Sequence, residues 1–247
     1  MQVLEKYFYT AFDAPDGIKK LRELILTLAM QGKLVPQDSS EQPASELLKE
    51  IEKYKDQLIK DKKIKKSKPL GQIQKNEIPF EIPENWVWVR MGQIGNWGAG
   101  STPQRGDANY YNGKILWLKT GELNNGIVYD TEEKVTQKAF QDCSLRMNKI
   151  GDVLIAMYGA TIGKLAIVGK DLTTNQACCG CTPYLIYNWY LFYFLMASRD
   201  SFIKKGEGGA QPNISRVKLV EHLIPLPPLK EQYRIVTQIE KLFEQLR

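Results

Sequence analysis

Gly159-Ala-Thr-Ile-Gly163-Lys164 is the segment of this chain closest in form to a catalytic motif. A phosphate-cradling loop puts four residues between its glycines and a Ser or Thr after the lysine, to bind magnesium. Here the loop is one residue short and Leu165 follows the lysine. Cys178 and Cys181 have the spacing of half a zinc knuckle, which needs two further ligands. Only Cys143 and the sole histidine, His222, remain, and both are isolated in sequence, so small buried residues on a strand are the preferred reading. His222 reads as a surface or loop histidine. No Gly-x-Gly-x-x-Gly follows a strand, and neither an amino-methyltransferase Asn/Asp-Pro-Pro-Tyr nor a Pro-Asp…Glu-x-Lys nuclease signature occurs. These residue types do not form a reacting constellation.

What remains suits reading rather than reacting. Thr102, Gln104 and Arg105 follow Gly98 and Gly100, while Lys119 and Thr120 precede Gly121. Tyr158 and Lys164 bracket the short glycine loop, and Gln176 follows Asn175. Gln211, Asn213, Ser215 and Arg216 come after the glycine-rich stretch 206–209. Arg reads guanine, and Asn or Gln reads adenine, bidentately in the major groove. These twelve side chains are the candidate DNA contacts. The competing reading is that many of them cap turns and strands.

The elements that must position them follow from periodicity. Residues 79–226 read as one α+β domain, flanked by helices from both ends of the chain. Strands are expected at 87–91, 115–119, 126–130, 153–157, 164–168 and 182–186, with one aromatic helix over 189–202. Segments 1–78 and 227–247 are expected to flank it with long helices that form coiled coils. Residues 1–16 read as a loose arm. Asp16 is expected to cap a helix over 17–31, ended by Gly32, with Ile18, Leu21, Ile25 and Leu28 on one stripe. A second helix is expected over 43–63, dissolving into the lysine run 60–68, read as a solvated linker or a phosphate-contacting patch. After the proline punctuation at 225–228, Ile235, Ile239, Leu242 and Leu246 form another stripe. Each stripe is a seam for another helix, so the chain is expected to dock.

Composition bounds the classes. The chain has 247 residues, 43% hydrophobic and 25% charged, as in soluble globular proteins. A net charge of +6, spread along the chain, permits nucleic-acid binding without arguing for it. Residues 1–10 lack the apolar core of a secretion signal, and the apolar run 184–197 is shorter than a membrane span and interrupted by Asn188. A cytoplasmic protein without membrane contact is expected.

The segments in order resemble a known family. Pro83-Glu-Asn-Trp86-Val-Trp88, Gly100-Ser-Thr102-Pro103, the Trp117…Gly121 stretch, Tyr158-Gly-Ala-Thr-Ile-Gly163-Lys164 and Thr174-Asn175-Gln176 resemble the recognition domain of a type I restriction–modification specificity subunit. Gln211-Pro-Asn213-Ile-Ser215, followed by Ile224-Pro-Leu-Pro-Pro-Leu229-Lys-Glu231-Gln232, is the most specific part. Leu21-Arg…Ala29-Met-Gln-Gly32-Lys33-Leu34-Val35 resembles that family's helical stretch. The resemblance implies a non-catalytic subunit that recognises double-stranded DNA for separate methyltransferase and restriction subunits. It implies no cofactor in this chain, with S-adenosylmethionine, ATP and magnesium on those partners. Complete members carry two recognition domains and this chain carries one target recognition domain, 79–226, expected on a curved mixed sheet. It is a natural half-subunit, a truncated gene product or a cut piece, and a stable half is expected to form a homodimer through the seams at 18–28 and 229–246. The alternatives are a stand-alone DNA-binding regulator and an oligomerising scaffold.

Overall fold

The computed structural model describes Phe12, residues 14–205 and residues 213–246. Most of the expected arm over 1–16, the stretch 206–209 and Gln211 lie outside the described residues.

Helix α1 spans Gly17–Met30 and α2 spans Ala44–Lys60, close to expectation. Asp16 directly precedes α1 but sits in the left-handed region (φ 58°) and makes no side-chain cap, which corrects its expected role. Gly32 stops α1 with φ +68°, and a Cβ there would lie 2.5 Å from Pro83 Cγ. Glycine is thus required twice over, for the turn and for the approach of the Pro83–Trp86 corner.

Ten strands follow among the described residues: β1 (Val87–Arg90), β2 (Gly95–Ala99), β3 (Tyr111–Leu118), β4 (Gly126–Val128), β5 (Glu133–Val135), β6 (Val153–Ala156), β7 (Leu165–Val168), β8 (Thr173–Thr174), β9 (Cys178–Pro183) and β10 (Leu223–Leu226). The single curved mixed sheet of the sequence reading resolves into three among the described residues: β1-β10, β2-β9-β6-β7-β4 and β5-β3-β8. Two pairings, β4 with β7 and β3 with β8, are parallel, so the mixed character holds. The strand expected at 182–186 lies instead on the Cys178–Pro183 segment. That strand runs between β2 and β6, and a Cβ at Gly180 would lie 2.0 Å from Asn148 Oδ1. Small side chains are what let it sit there.

The aromatic helix is two: α4 (Asn188–Ala197) and α5 (Arg199–Lys205), broken at Ser198. Helices α3 (Gln137–Asp142), α6 (Arg216–Glu221) and α7 (Leu229–Gln245) complete the fold. One hydrophobic core joins Ala29 and Met30 of α1, Leu47 and Ile51 of α2, Ile155 of β6, Tyr190 of α4, and Ile235 and Ile239 of α7. The flanking helices therefore share the domain's core instead of standing apart. Sequence analysis leaves both seams open for a partner. In the fold α1, α4 and α7 pack on one another, burying Leu21, Ile235, Ile239 and Leu246, with Ile18, Ile25, Leu28 and Leu242 half-buried. The stripes reach the nearest apolar surface available, which is their own chain's.

The two ends of the segment 79–226 meet in β1 and β10, where Val87 faces Leu226 and Arg90 faces Leu223. Glu231, fully buried in the first turn of α7, accepts hydrogen bonds from Trp86 Nε1 (2.9 Å) and Gln37 Nε2 (2.6 Å). Its neighbour Gln232, also buried, accepts from Tyr187 N (2.9 Å) and donates to Pro227 O (3.0 Å). The Pro-Pro-Leu-Lys-Glu-Gln segment is thus a clamp that ties α7 to three other parts of the chain. Arg90 similarly fixes the linker after the lysine run, donating to Gly71 O (2.7 Å) and to the Glu77 carboxylate (2.9 Å).

Candidate nucleic-acid interface

Strand polarity places the candidate residues. β2 and β6 run to one end of the five-stranded sheet, and β9, β7 and β4 start from it, because Ala99 faces Cys179, Ala156 faces Cys178, Ile155 faces Leu165 and Gly126 faces Ala166. β3 and β8 finish at the same end, where Asn175 N donates to Leu118 O at 3.0 Å. Four loops therefore emerge together, at 100–110, 119–125, 157–164 and 175–177. The segment after 212 joins them, since Tyr158 forms a β-bridge with Asn213 and Ile214 N donates to Met157 O at 2.9 Å.

Thr102, Gln104, Arg105, Lys119, Thr120, Tyr158, Lys164, Gln176 and Asn213 all lie on these loops or beside them. The Thr102 hydroxyl donates to the Gln176 side-chain oxygen, so two separately chosen residues meet. Gln104 and Gln176 are exposed, as is Tyr158 at 41%. Thr120 is half-buried in a single turn at Thr120–Glu122. Lys164 is half-buried and has no ion-pair partner among the described residues.

Other candidates also make bonds within the chain. Ser215 caps α6, its hydroxyl accepting from Lys218 N at 3.2 Å. Arg216 turns back along β2 and donates to Trp97 O at 3.4 Å. Arg105 pairs with Glu133 (Nη1 to Oε2, 2.6 Å), and Lys119 reaches both Glu132 (2.9 Å) and Glu133 (3.0 Å). The hydrogen bonds that Lys119 donates to Glu132 and Glu133 push it up to about 12, and the bond donated by Arg105 holds Glu133 below the usual carboxylate range. Glu133 is the participant that sequence reasoning missed. It lies on a three-residue strand with no period to reveal it, 28 positions from Arg105.

Cys178, Cys179 and Cys181 are fully buried on β9, and burial pushes their thiols up. Among the described residues no group of three or more His, Cys, Asp or Glu side chains could hold a metal ion. Nor is any described helix long and apolar enough to cross a membrane. The chemistry this end of the molecule offers is amide, hydroxyl and guanidinium hydrogen bonding on loops.

Residues 83–247 match the family described as the type I restriction modification DNA specificity domain. The chain is 32% identical over 266 residues to the EcoAI specificity subunit of Escherichia coli, covering 98% of this chain and 42% of that protein. It is 33% identical to the EcoEI specificity subunit of the same species, covering 98% and 43%. Its fold is similar to the HsdS subunit from Thermoanaerobacter tengcongensis (TM-score 0.54, 20% identity, 93% of this chain and 48% of that one). It is also similar to a chain from a type I R-M system solved for its assembly and conformational transition (TM-score 0.56, 18% identity, 99% and 51%). The chain thus spans less than half the length of these two curated relatives. A family match over residues 83–247, with relatives above 30% identity along nearly all of the sequence, establishes that the chain belongs to the type I restriction–modification DNA specificity family.

Proposed function

We propose that this chain is a non-catalytic specificity subunit that reads one half of a split duplex-DNA target for a type I restriction–modification complex. The observation that carries the reading is the convergence of nine separately chosen polar residues at one end of the sheets, imposed by strand polarity. On this reading Gln104, Gln176 and Asn213 contact base edges, while Lys164, Lys119 and the hydroxyls of Thr102, Thr120 and Tyr158 hold the backbone. The methyltransferase subunit docks on the helical layer that holds α1 and α7, and the restriction subunit joins through it. S-adenosylmethionine, ATP and magnesium act on those partners. A second copy supplies the other half, its helix entering the groove that Ile18, Arg22, Trp189, Tyr193 and Phe243 leave between α1, α4 and the end of α7.

The glutamates amid these loops make the reading testable through salt. Fluorescence anisotropy on duplex DNA should show affinity falling linearly in log–log form with salt. Lys164→Ala should lower that slope by about one phosphate's worth, ~0.9, and weaken all sequences alike. Binding that ignores salt, or no binding to duplex at all, contradicts the proposal.

A further inference from the structure

Among the described candidate residues only Arg105 stacks on aromatic rings. Its guanidinium carbon lies 4.9 Å from the ring centroids of both Tyr111 and Trp117. Those rings stand nearly edge-to-face, 6.1 Å apart at 82°. They also fasten the loop that carries the arginine: Tyr111 Oη donates to Pro103 O (2.7 Å) and Trp117 Nε1 to Ser101 O (3.1 Å). The loop before Arg105 is thus tied to the rings that Arg105 packs on.

Glu133 completes the mount. Its carboxylate accepts from Arg105 Nη1 at 2.6 Å and Nη2 at 3.4 Å, and from Lys119 Nζ at 3.0 Å. It is held in turn by strand pairing with Trp117 and by Thr131, whose hydroxyl donates to Glu133 O at 2.6 Å. The Arg105 side chain remains 55% exposed, with a fork of donors beyond those Glu133 takes. A carboxylate set among DNA-facing cations lowers general attraction to phosphate, which makes it a poor device for affinity. It makes a good one for aiming a planar bidentate donor, and the base that accepts two parallel N–H bonds in the major groove is guanine, through O6 and N7.

From this arrangement we infer that Arg105 reads a guanine in the half-site and that Glu133 is its positioning residue. The inference rests on the DNA-reading function proposed above and names one base of its target. An unaimed surface ion pair would have no bearing on base identity.

The test is selection by the full 247-residue chain from a duplex library with a randomised window, followed by anisotropy on singly substituted duplexes. The wild type should select a motif with a guanine whose replacement weakens binding by about tenfold or more. Arg105→Ala and Arg105→Lys should both lose preference at that position alone, because a lysine cannot form the fork. Glu133→Gln should blunt discrimination several-fold at the same position, with the melting temperature and the affinity for random duplex not lowered. A motif selected equally well by Arg105→Ala overturns this inference and leaves the DNA-reading function standing. So does uniform weakening at every position. Unchanged discrimination in Glu133→Gln returns that residue to a simple ion pair. Failure of the wild type to select any motif would bring down the reading function itself.

Discussion

Glu231→Ala is expected to lower the stability of the chain by about 2–3 kcal/mol, measured by denaturant unfolding at neutral pH. The carboxylate is fully buried and accepts Trp86 Nε1 and Gln37 Nε2. Removing it strands the buried indole N–H, which costs roughly 1–3 kcal/mol, and opens a void beside Trp86. Gln37 is exposed and can turn to water, so its share is small. Release of a desolvated charge offsets part of the loss, which keeps the figure modest. Glu231→Gln separates charge from shape. An amide can still accept from Trp86 and, facing a rotated Gln37 amide, donate where the carboxylate accepted. Burial raises the Glu231 carboxyl above its ordinary 4.5, outweighing the hydrogen bonds that lower it. The folded chain therefore holds that proton more tightly than the unfolded chain. The wild-type residue's contribution is fully present below the ordinary value and is lost as pH climbs through the raised one. Melting curves from pH 4 upward should accordingly show Glu231→Gln gaining on the wild type across that window and then holding a constant margin. Parallel curves would contradict the burial argument.

Gly100→Ala should cost duplex binding about tenfold or more while leaving the chain folded. No positive φ is involved, only space: a Cβ at Gly100 would lie 2.1 Å from Thr174 O, 2.3 Å from Thr174 Oγ1 and 2.4 Å from Asn175 O. Backbone atoms cannot swing aside as a long side chain can. Asn175 is pinned to Leu118 and Ser101 N donates to Thr174 O at 3.0 Å. The methyl therefore separates the loop bearing Thr102 and Arg105 from the loop bearing Gln176. Overpacking of this kind costs about 1–3 kcal/mol in stability. The binding effect is larger in kind, since each lost bidentate base contact is worth roughly 1–3 kcal/mol. Gly121, with nothing within 4 Å of its built Cβ, is the control: Gly121→Ala should bind and melt like the wild type. Anisotropy on one duplex with all three proteins decides it.

The parts of this fold legible in the sequence are those where local chemistry agrees with its surroundings. The stripes of α1, α2 and α7 and the apolar runs of β6 and β7 fall within a few residues of expectation. β10 escaped because Pro225 argues against a strand, yet in a two-stranded pair its missing N–H is tolerated. The cysteines read rightly as small buried residues on a strand, but its bounds were set late, at 182–186, because Cys178-Cys179-Gly180-Cys181 lacks branched residues, and the reason for small side chains lies across the sheet in Asn148. The fate of the two seams was equally hidden. A heptad stripe records that a helix wants a partner, not that α4 of the same chain supplies it. At the candidate interface the residue types indicated loops, but neither the gathering of those loops at one end nor the pairing of their side chains. Arg105 and Lys119 read as free cations, and only the register of β3 against β5 brings Glu133 between them.

The measurement that bears most directly on the central claim is a genome-wide map of methylated bases after co-expression of this chain with its methyltransferase subunit. The account predicts methylated adenines confined to one split sequence, an inverted repeat with a fixed spacer, because two copies each read one half. A genome whose methylation is unchanged, or methylated without regard to sequence, would contradict it.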